Sequence, residues 1–411
     1  MTNLAPTGLR VRPSWGQRLA GIEGLRGIAA LSVVVYHVSD VLAPKAADAG
    51  AMQIVSLMGQ GLTLFFVLSG FLLFRPFAYA MISGTRQPRL RQFYENRALR
   101  IWPAYLVVFI VVNYFLAASR LPGAGESATN VDLGVLDAGT TVANAFMVQT
   151  FFPGTLRTGL EVAWTLSTEL SFYLILPLLA QLGVLAMRRG VSAIKAASIP
   201  IVILLVTGTV TKAFFALTTD GMNDFDANAF EWGDQWSAVL ARSILTHADL
   251  FAYGMAAALA FALLESGTMS AQWMRRYCWA SYIAAVAVLL VAVRFHAYAD
   301  TAVALVAAAV VLHATTPSRS GSVSLFGKIL EAPAWRFYGL ISYSLYLWHL
   351  PLIRLLKDKG LVMPDTAFGF LANVAIIVAL STVLAALTYH GVEKQALRLK
   401  RRTGSPARKS V

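Results

Sequence analysis

The sequence is poor in cysteine, in charge and above all in acid. A single cysteine, Cys278, among 411 residues leaves no internal disulfide and no thiolate cluster to hold a metal, and it gives no reading of redox compartment. Charged residues make up 13% of the chain, against roughly 25% in soluble globular domains. With 57% hydrophobic residues and a mean hydropathy of +0.63, an ordinary soluble protein is excluded and a helical membrane protein of many spans is implied. Only 21 Asp and Glu face 34 Lys and Arg, a net charge of +13. The basic residues lie in short segments between apolar runs, which argues for one face of a lipid bilayer and against nucleic acid as a partner.

What is abundant is apolar sequence of spanning length, about 17–25 residues at a time. Ten such segments are predicted, at 22–42, 54–80, 98–118, 160–185, 197–217, 238–264, 277–295, 299–314, 335–355 and 367–390, in an all-α polytopic bundle. The segments alternate sides so that 25 of the 34 Lys and Arg fall with the amino terminus and eight fall opposite, with Arg242 inside the sixth span. The positive-inside rule then places both termini in the cytoplasm of a cell (plasma or inner) membrane. Residues 1–20 and 391–411 read as basic cytoplasmic tails, flexible from 394 onward, around a membrane domain at 21–390; Pro6, Pro13, Gly404 and Pro406 oppose regular structure. A cleaved signal peptide competes for the first span, but a leader of twenty residues followed by Arg26 suits it poorly.

Within this apolar background the first span keeps Glu23, Arg26 and His37. An ionisable group inside a spanning helix costs roughly 2.5–3.5 kcal/mol on insertion scales, so it is expected to face a protein interior or a water cavity with a task to perform. Arg26 and His37 are eleven residues apart, about three turns and ~16 Å along one helix face.

Five motifs in order carry a resemblance. Gly24-Leu25-Arg26-Gly27-Ile28-Ala29-Ala30 runs to His37; Gly61 to Phe71 reads Gly-Leu-Thr-Leu-Phe-Phe-Val-Leu-Ser-Gly-Phe. Phe93 to Tyr105 contains Arg97-Ala98-Leu99-Arg100; Trp164 to Tyr173 contains Glu169; and Ser342-Tyr343-Ser344-Leu345-Tyr346-Leu347-Trp348-His349-Leu350-Pro351 closes the series. Over about 19–390 the chain resembles acyltransferase family three, integral-membrane enzymes that move acyl groups onto hydroxyls of sugars, lipids, peptidoglycan or macrolides. It departs from the family at Glu23, where Asp is commoner, and at Leu170, where many relatives carry a second acid. The resemblance implies a membrane O-acyltransferase with acyl-CoA as donor substrate, no permanently bound cofactor, and a hydroxylated acceptor such as a carbohydrate, glycolipid or secondary metabolite.

The residue chemistry fits that reading. Arg97 and Arg100, at i,i+3, project from one face and with Arg26 would bind the phosphates of acyl-CoA, since planar guanidinium grips oxyanions bidentately; ordinary positive-inside charge is the alternative. His37 is the candidate general base, because imidazole titrates near neutrality. Glu169 is expected to orient that imidazole or to serve as a helix-helix hydrogen-bond partner. Ser69 reads either as a nucleophile forming an acyl-serine or as part of a small-residue packing site. Ser69, Tyr173, Trp348, His349, His247 and Asp249 are candidates for the acceptor pocket, the last two alternatively bonding each other. With no third ligand beside His247 and Asp249, no metal site is expected. His296, His313 and His390 read as interfacial.

The competing function is a proton-coupled transporter or flippase using Arg26, His37 and Glu169 as a relay; no internal repeat, its usual sign, is apparent. The orientation is testable. In a Cys278→Ser background, a cysteine at Ser83 or Ser405 should react with an impermeant thiol reagent only from the cytoplasmic side, and labelling of either from outside would reverse the topology.

Overall fold

The computed structural model describes residues 19–47, 53–123, 131–294, 298–317 and 322–403; the N-terminal tail to residue 18, His296 and residues 404–411 lie outside them. The all-α expectation is met by ten long helices: α1 Ile22–Leu42, α2 Gly61–Ser83, α3 Leu90–Ile110, α4 Trp164–Arg188, α5 Ala193–Thr218, α6 Ile244–Glu265, α7 Ala271–Arg294, α8 Ala299–Thr315, α9 Pro333–Asp358 and α10 Ala367–Thr388. Among the described residues eight spans are long and apolar enough to cross a bilayer, so the chain is a multi-pass membrane protein. The two predicted spans beyond those eight are helical as well. α8 has 17 residues; α9 is longer but amphipathic, with Ser342, Ser344 and His349 fully buried against neighbouring helices.

Close approaches through glycine set how the helices pack, as is usual where the hydrophobic effect does not drive helices together. A β-carbon on Gly70 of α2 would lie 2.2 Å from the Phe251 carbonyl oxygen of α6, and one on Gly254 of α6 would lie 2.0 Å from that of Val67. The same device joins α1 to α9: Gly27 would meet the Trp335 carbonyl at 2.8 Å, and Gly339 that of Glu23 at 1.9 Å. With Glu23 beside Gly339 and His37 beside His349, α1 and α9 run in the same direction.

Buried charges on these and neighbouring helices are neutralised in place. Lys212 of α5 donates to Asp249 of α6 at 2.7 Å, to Asp300 at 2.8 Å and to Thr301 of α8 at 2.7 Å, while Thr301 donates to Asp249 at 2.6 Å. Arg75 of α2 makes a two-point ion pair with Glu265 of α6 and lies over the Phe261 ring.

Two boundaries differ from expectation. The sixth span is interrupted: a short helix Trp236–Ala241 stops at Arg242, and Ser243 caps α6 by accepting from the Leu245 amide at 3.2 Å. Arg242 turns out of the helix because the Trp232 ring, 3.1 Å from the guanidinium carbon, offers it a π face. At the other end, the tail expected to be flexible from 394 is helical over Lys394–Thr403, and the domain boundary drawn at 390 cuts through a π-turn, Tyr389–Glu393. Glu393 is buried and accepts a hydrogen bond from Ser344 of α9. The glycine and proline that argued for disorder lie further on, at 404 and 406.

The α2 to α6 contact gives a direct check. Gly254→Ala should lower stability by about 1–3 kcal/mol through overpacking against α2, whereas Gly190→Ala, where a β-carbon meets nothing within 4 Å, should show only the local cost of its positive φ; thermal unfolding in detergent separates them.

Candidate functional site

Two cavities penetrate the bundle, one above the other along α1. The first, about 310 Å³, is walled by Arg26 of α1, Ser69 of α2, Arg97 and Arg100 of α3, Glu169 and Tyr173 of α4, and Tyr343 of α9. The three arginines expected to act together thus line one space. The guanidinium of Arg97 lies 5.9 Å over the Tyr173 ring, and Arg26 is within electrostatic reach of Arg100, Glu169 and Glu393. Leu62, Phe65, Phe66 and Leu72 of α2 add apolar wall to this space.

Ser69 donates to the carboxylate of Glu169 in this cavity. Ser69 therefore faces the space while its neighbour Gly70 makes the helix contact, which divides the two readings of that motif between two residues. Glu169 is not a hydrogen-bond partner of His37: the described partners of that imidazole are Val33 and His349. Its expected orienting role is corrected on geometric grounds, since Glu169 is committed to Ser69 one cavity away. Ser69 and Tyr173 likewise belong with the arginines, rather than with the acceptor residues grouped around His349.

The second cavity, about 480 Å³, is walled by Tyr36, His37 and Asp40 of α1, Arg157, Glu161, Trp164, Trp232, Tyr346 and Arg354. Leu62 and Tyr346 line both spaces and form the partition between them. Tyr346 is held there by hydrogen bonds of its hydroxyl with Thr165 (2.8 Å) and the Val162 carbonyl (3.2 Å).

His37, which lines this cavity, and His349 behind it have their protons assigned by their partners. His349, fully buried, sets Nδ1 2.7 Å from the Tyr346 carbonyl oxygen, so Nδ1 carries the hydrogen and Nε2 is an acceptor. His37 Nδ1 stands 3.0 Å from that Nε2 and 3.1 Å from the Val33 carbonyl. Both neighbours accept, so His37 Nδ1 also carries its hydrogen, and the lone pair is left on Nε2. This chain from Tyr346 through His349 to His37 is what an oriented general base requires.

Beside it, Glu161 gathers three guanidiniums: Arg120 at 2.5 Å, Arg157 at 2.9 Å and Arg354 at 3.0 Å. Arg120 arrives by a two-residue strand, β1 Ser119–Arg120, which pairs with β2 Leu133–Gly134 and bridges to Gly159. Gly159 is required there, having φ +70° and the Asn144 side chain 2.1 Å from where a β-carbon would stand. Burial pulls Arg120 down to about 10 against the opposing pull of Glu161, so it stays protonated at neutral pH. Sequence reasoning missed this cluster, because Arg354 and Glu161 are 193 residues apart and no local spacing links them.

Three acceptor candidates fall elsewhere. Trp348 turns its indole nitrogen to Thr388 at 2.9 Å, and Asp249 is committed to Lys212 and Thr301. His247 does not bond Asp249; its Nδ1 faces the Ser243 carbonyl at 3.1 Å and its ring packs on Phe66 and Trp164. Of the histidines read as interfacial, His390 is exposed, whereas His313 bonds Tyr282 at 3.2 Å. Among the described residues no group of three or more His, Cys, Asp or Glu is arranged to hold a metal.

Comparison with known proteins follows this geometry. A family model described as "Acyltransferase domain" matches residues 19–390. The chain is 30% identical over 168 residues to "Acyltransferase MdmB" of Streptomyces mycarofaciens, covering 39% of each chain. It is 23% identical over 388 residues to "O-acetyltransferase OatA" of Staphylococcus aureus (strain NCTC 8325 / PS 47), covering 91% of this chain and 56% of the relative. To "Putative peptidoglycan O-acetyltransferase YrhL" of Bacillus subtilis (strain 168) it is 24% identical over 392 residues, covering 92% and 54%. The chain thus spans about half the length of the latter two relatives, and no solved structure matches it.

The Glu161 cluster predicts its own energetics. Glu161→Gln strands three largely buried cations and should cost about 3–5 kcal/mol, read as a drop in unfolding temperature; Glu95→Gln, which breaks only an exposed pair with Arg91, should leave that temperature unchanged within error.

Proposed function

We propose, for a chain that belongs to the acyltransferase-domain family, that it is a membrane O-acyltransferase moving an acyl group, acetyl or longer, from acyl-CoA to a hydroxyl of a carbohydrate, glycolipid or related acceptor. The donor enters the cavity of Arg26, Arg97 and Arg100, from the cytoplasmic side of the cell membrane. The acceptor occupies the cavity of His37. The observation that carries this reading is the shared partition of the two spaces at Leu62 and Tyr346, with the His37 imidazole lining one space and Arg26, Arg97 and Arg100 lining the other.

In this mechanism the guanidiniums hold the nucleotide phosphates by charge-assisted hydrogen bonds. The pantetheine arm lies past Ser69, Glu169 and Tyr173, where the carboxylate fixes the serine hydroxyl. The thioester reaches the partition. His37 Nε2 takes the proton of the acceptor hydroxyl as its oxygen attacks the thioester carbonyl; the carbon-sulfur bond breaks, and the imidazolium returns its proton to the departing thiolate. His349 keeps the reactive nitrogen unprotonated at rest by accepting from Nδ1. The relatives named as O-acetyltransferases support the reaction class, and one of them carries peptidoglycan in its name.

With labelled acyl-CoA and purified protein, His37→Gln should lower kcat by about 10²–10⁴-fold with donor binding intact. Arg97→Ala and Arg100→Ala should instead raise the donor KM. Near-full turnover by a folded His37→Gln protein, or a labelled acyl-enzyme that accumulates without acceptor and vanishes in Ser69→Ala, would replace direct attack with another mechanism.

A further inference from the structure

The acceptor side holds a further space that the transfer step does not use. It measures about 200 Å³ and is walled by Arg120, Arg157 and Trp232 together with the backbone of Leu121–Gly123, Gly154 and Gly233. Arg157 and Trp232 are also walls of the His37 cavity, so the two spaces meet at those side chains. At Gly123 and Gly154 a β-carbon would meet nothing within 4 Å, which leaves the backbone open to close approach.

Arginines are concentrated here. Arg120, Arg157 and Arg354 share the single carboxylate of Glu161, all four largely buried, and Arg242 lies buried over the Trp232 ring. Among the described residues, Asp40, part-buried in the His37 cavity with Lys357 near it, Glu231 near Arg242, and Asp234, exposed at the rim of the smaller space, also lie close by. Arg157 gives one amino group to Glu161, while its Nε is buried with no hydrogen-bond partner among the described residues. A largely buried guanidinium with an unsatisfied donor, at the junction of two cavities, is suited to an incoming oxyanion.

We propose that this smaller cavity is a subsite for an oxyanion of the acceptor, which makes the acceptor an acidic one: a hydroxylated sugar or glycolipid bearing a carboxylate or phosphate near the hydroxyl that is acylated. The inference rests on the reading of the His37 cavity as the acceptor site. The acidic group anchors on Arg157, and the neighbouring ring carries its hydroxyl into the His37 cavity. Trp232, packed against both Arg157 and Arg242, holds the guanidinium at the junction.

The test is calorimetric and needs no turnover. Full-length protein in detergent is titrated, without donor, with methyl β-glucoside, methyl β-glucuronide, methyl β-glucoside 6-phosphate and inorganic phosphate. At least one acidic sugar should bind about ten- to a hundred-fold more tightly than the neutral glycoside, and the preference should shrink as salt is raised. Whichever acid is preferred identifies carboxylate or phosphate as the anchor. Arg157→Gln should abolish the preference and Arg157→Lys should retain part of it, each variant being checked for an unchanged unfolding temperature. Equal binding of acidic and neutral sugars by the wild type, no saturable binding by any acidic probe, or a preference that survives Arg157→Gln in a folded protein would overturn the subsite. If the preference is found while labelled acyl-CoA yields no transfer, the subsite stands and the acyltransferase reading falls; transfer without preference gives the reverse.

Discussion

The approach of α1 to α9 through Gly27 and Gly339 sets the spacing of every group between these helices. A β-carbon at Gly339 would stand 1.9 Å from the Glu23 carbonyl, so the two backbones touch at that level and must remain close through the following turns. That closeness brings His37 to 3.0 Å from His349, and the exposed carbonyl of Tyr346 then dictates which nitrogen of each ring bears hydrogen. A wider crossing would break the bond between the two imidazoles and leave each ring only the carbonyl of its own helix. The parallel direction of the pair matters equally, because it carries Arg26 and His37 to successive levels of one wall, with the two cavities opening at those levels.

Charge is handled in two contrasting ways in the rest of the bundle. Where Lys212 meets Asp249, Asp300 and Thr301, its ammonium is fully surrounded by acceptors, and helices α5, α6 and α8 are joined at a point remote from either cavity. Arg75 and Glu265 do the same for α2 and α6. At the cavities arginines gather instead. Three line the first space, and three more pair with Glu161 beside the second. Like charges brought together in an apolar bundle are costly unless counter-charge is supplied.

The partition between the cavities is built from one aliphatic and one aromatic side chain. Leu62 belongs to the first turn of α2, and Tyr346 is fastened by its hydroxyl to the start of α4. These two side chains thereby keep the spaces distinct while leaving them adjoining. Ser69 and Glu169, close below the partition, contribute polar edges to an otherwise apolar passage.

Much of this was legible in order along the chain. Apolar length and the scarcity of acid determined a many-span helical bundle, because spanning a bilayer demands internally satisfied backbone and few charges whatever the partners are. The motif around Arg26 and His37, and the pair Arg97 and Arg100, could be assigned to helix faces since 3.6-residue periodicity is local. Tertiary structure alone decided the rest. That Glu169 serves Ser69 and not His37, that Asp249 belongs to Lys212, and that His349 rather than an acid orients His37 all depend on which helices adjoin. The Glu161 cluster joins residues 41 and 193 positions apart through a loop and a helix, and Glu393 enters the core from beyond the expected end of the domain. Sequence period states which way a side chain points on its own helix; only the packing of the helices states what it points at.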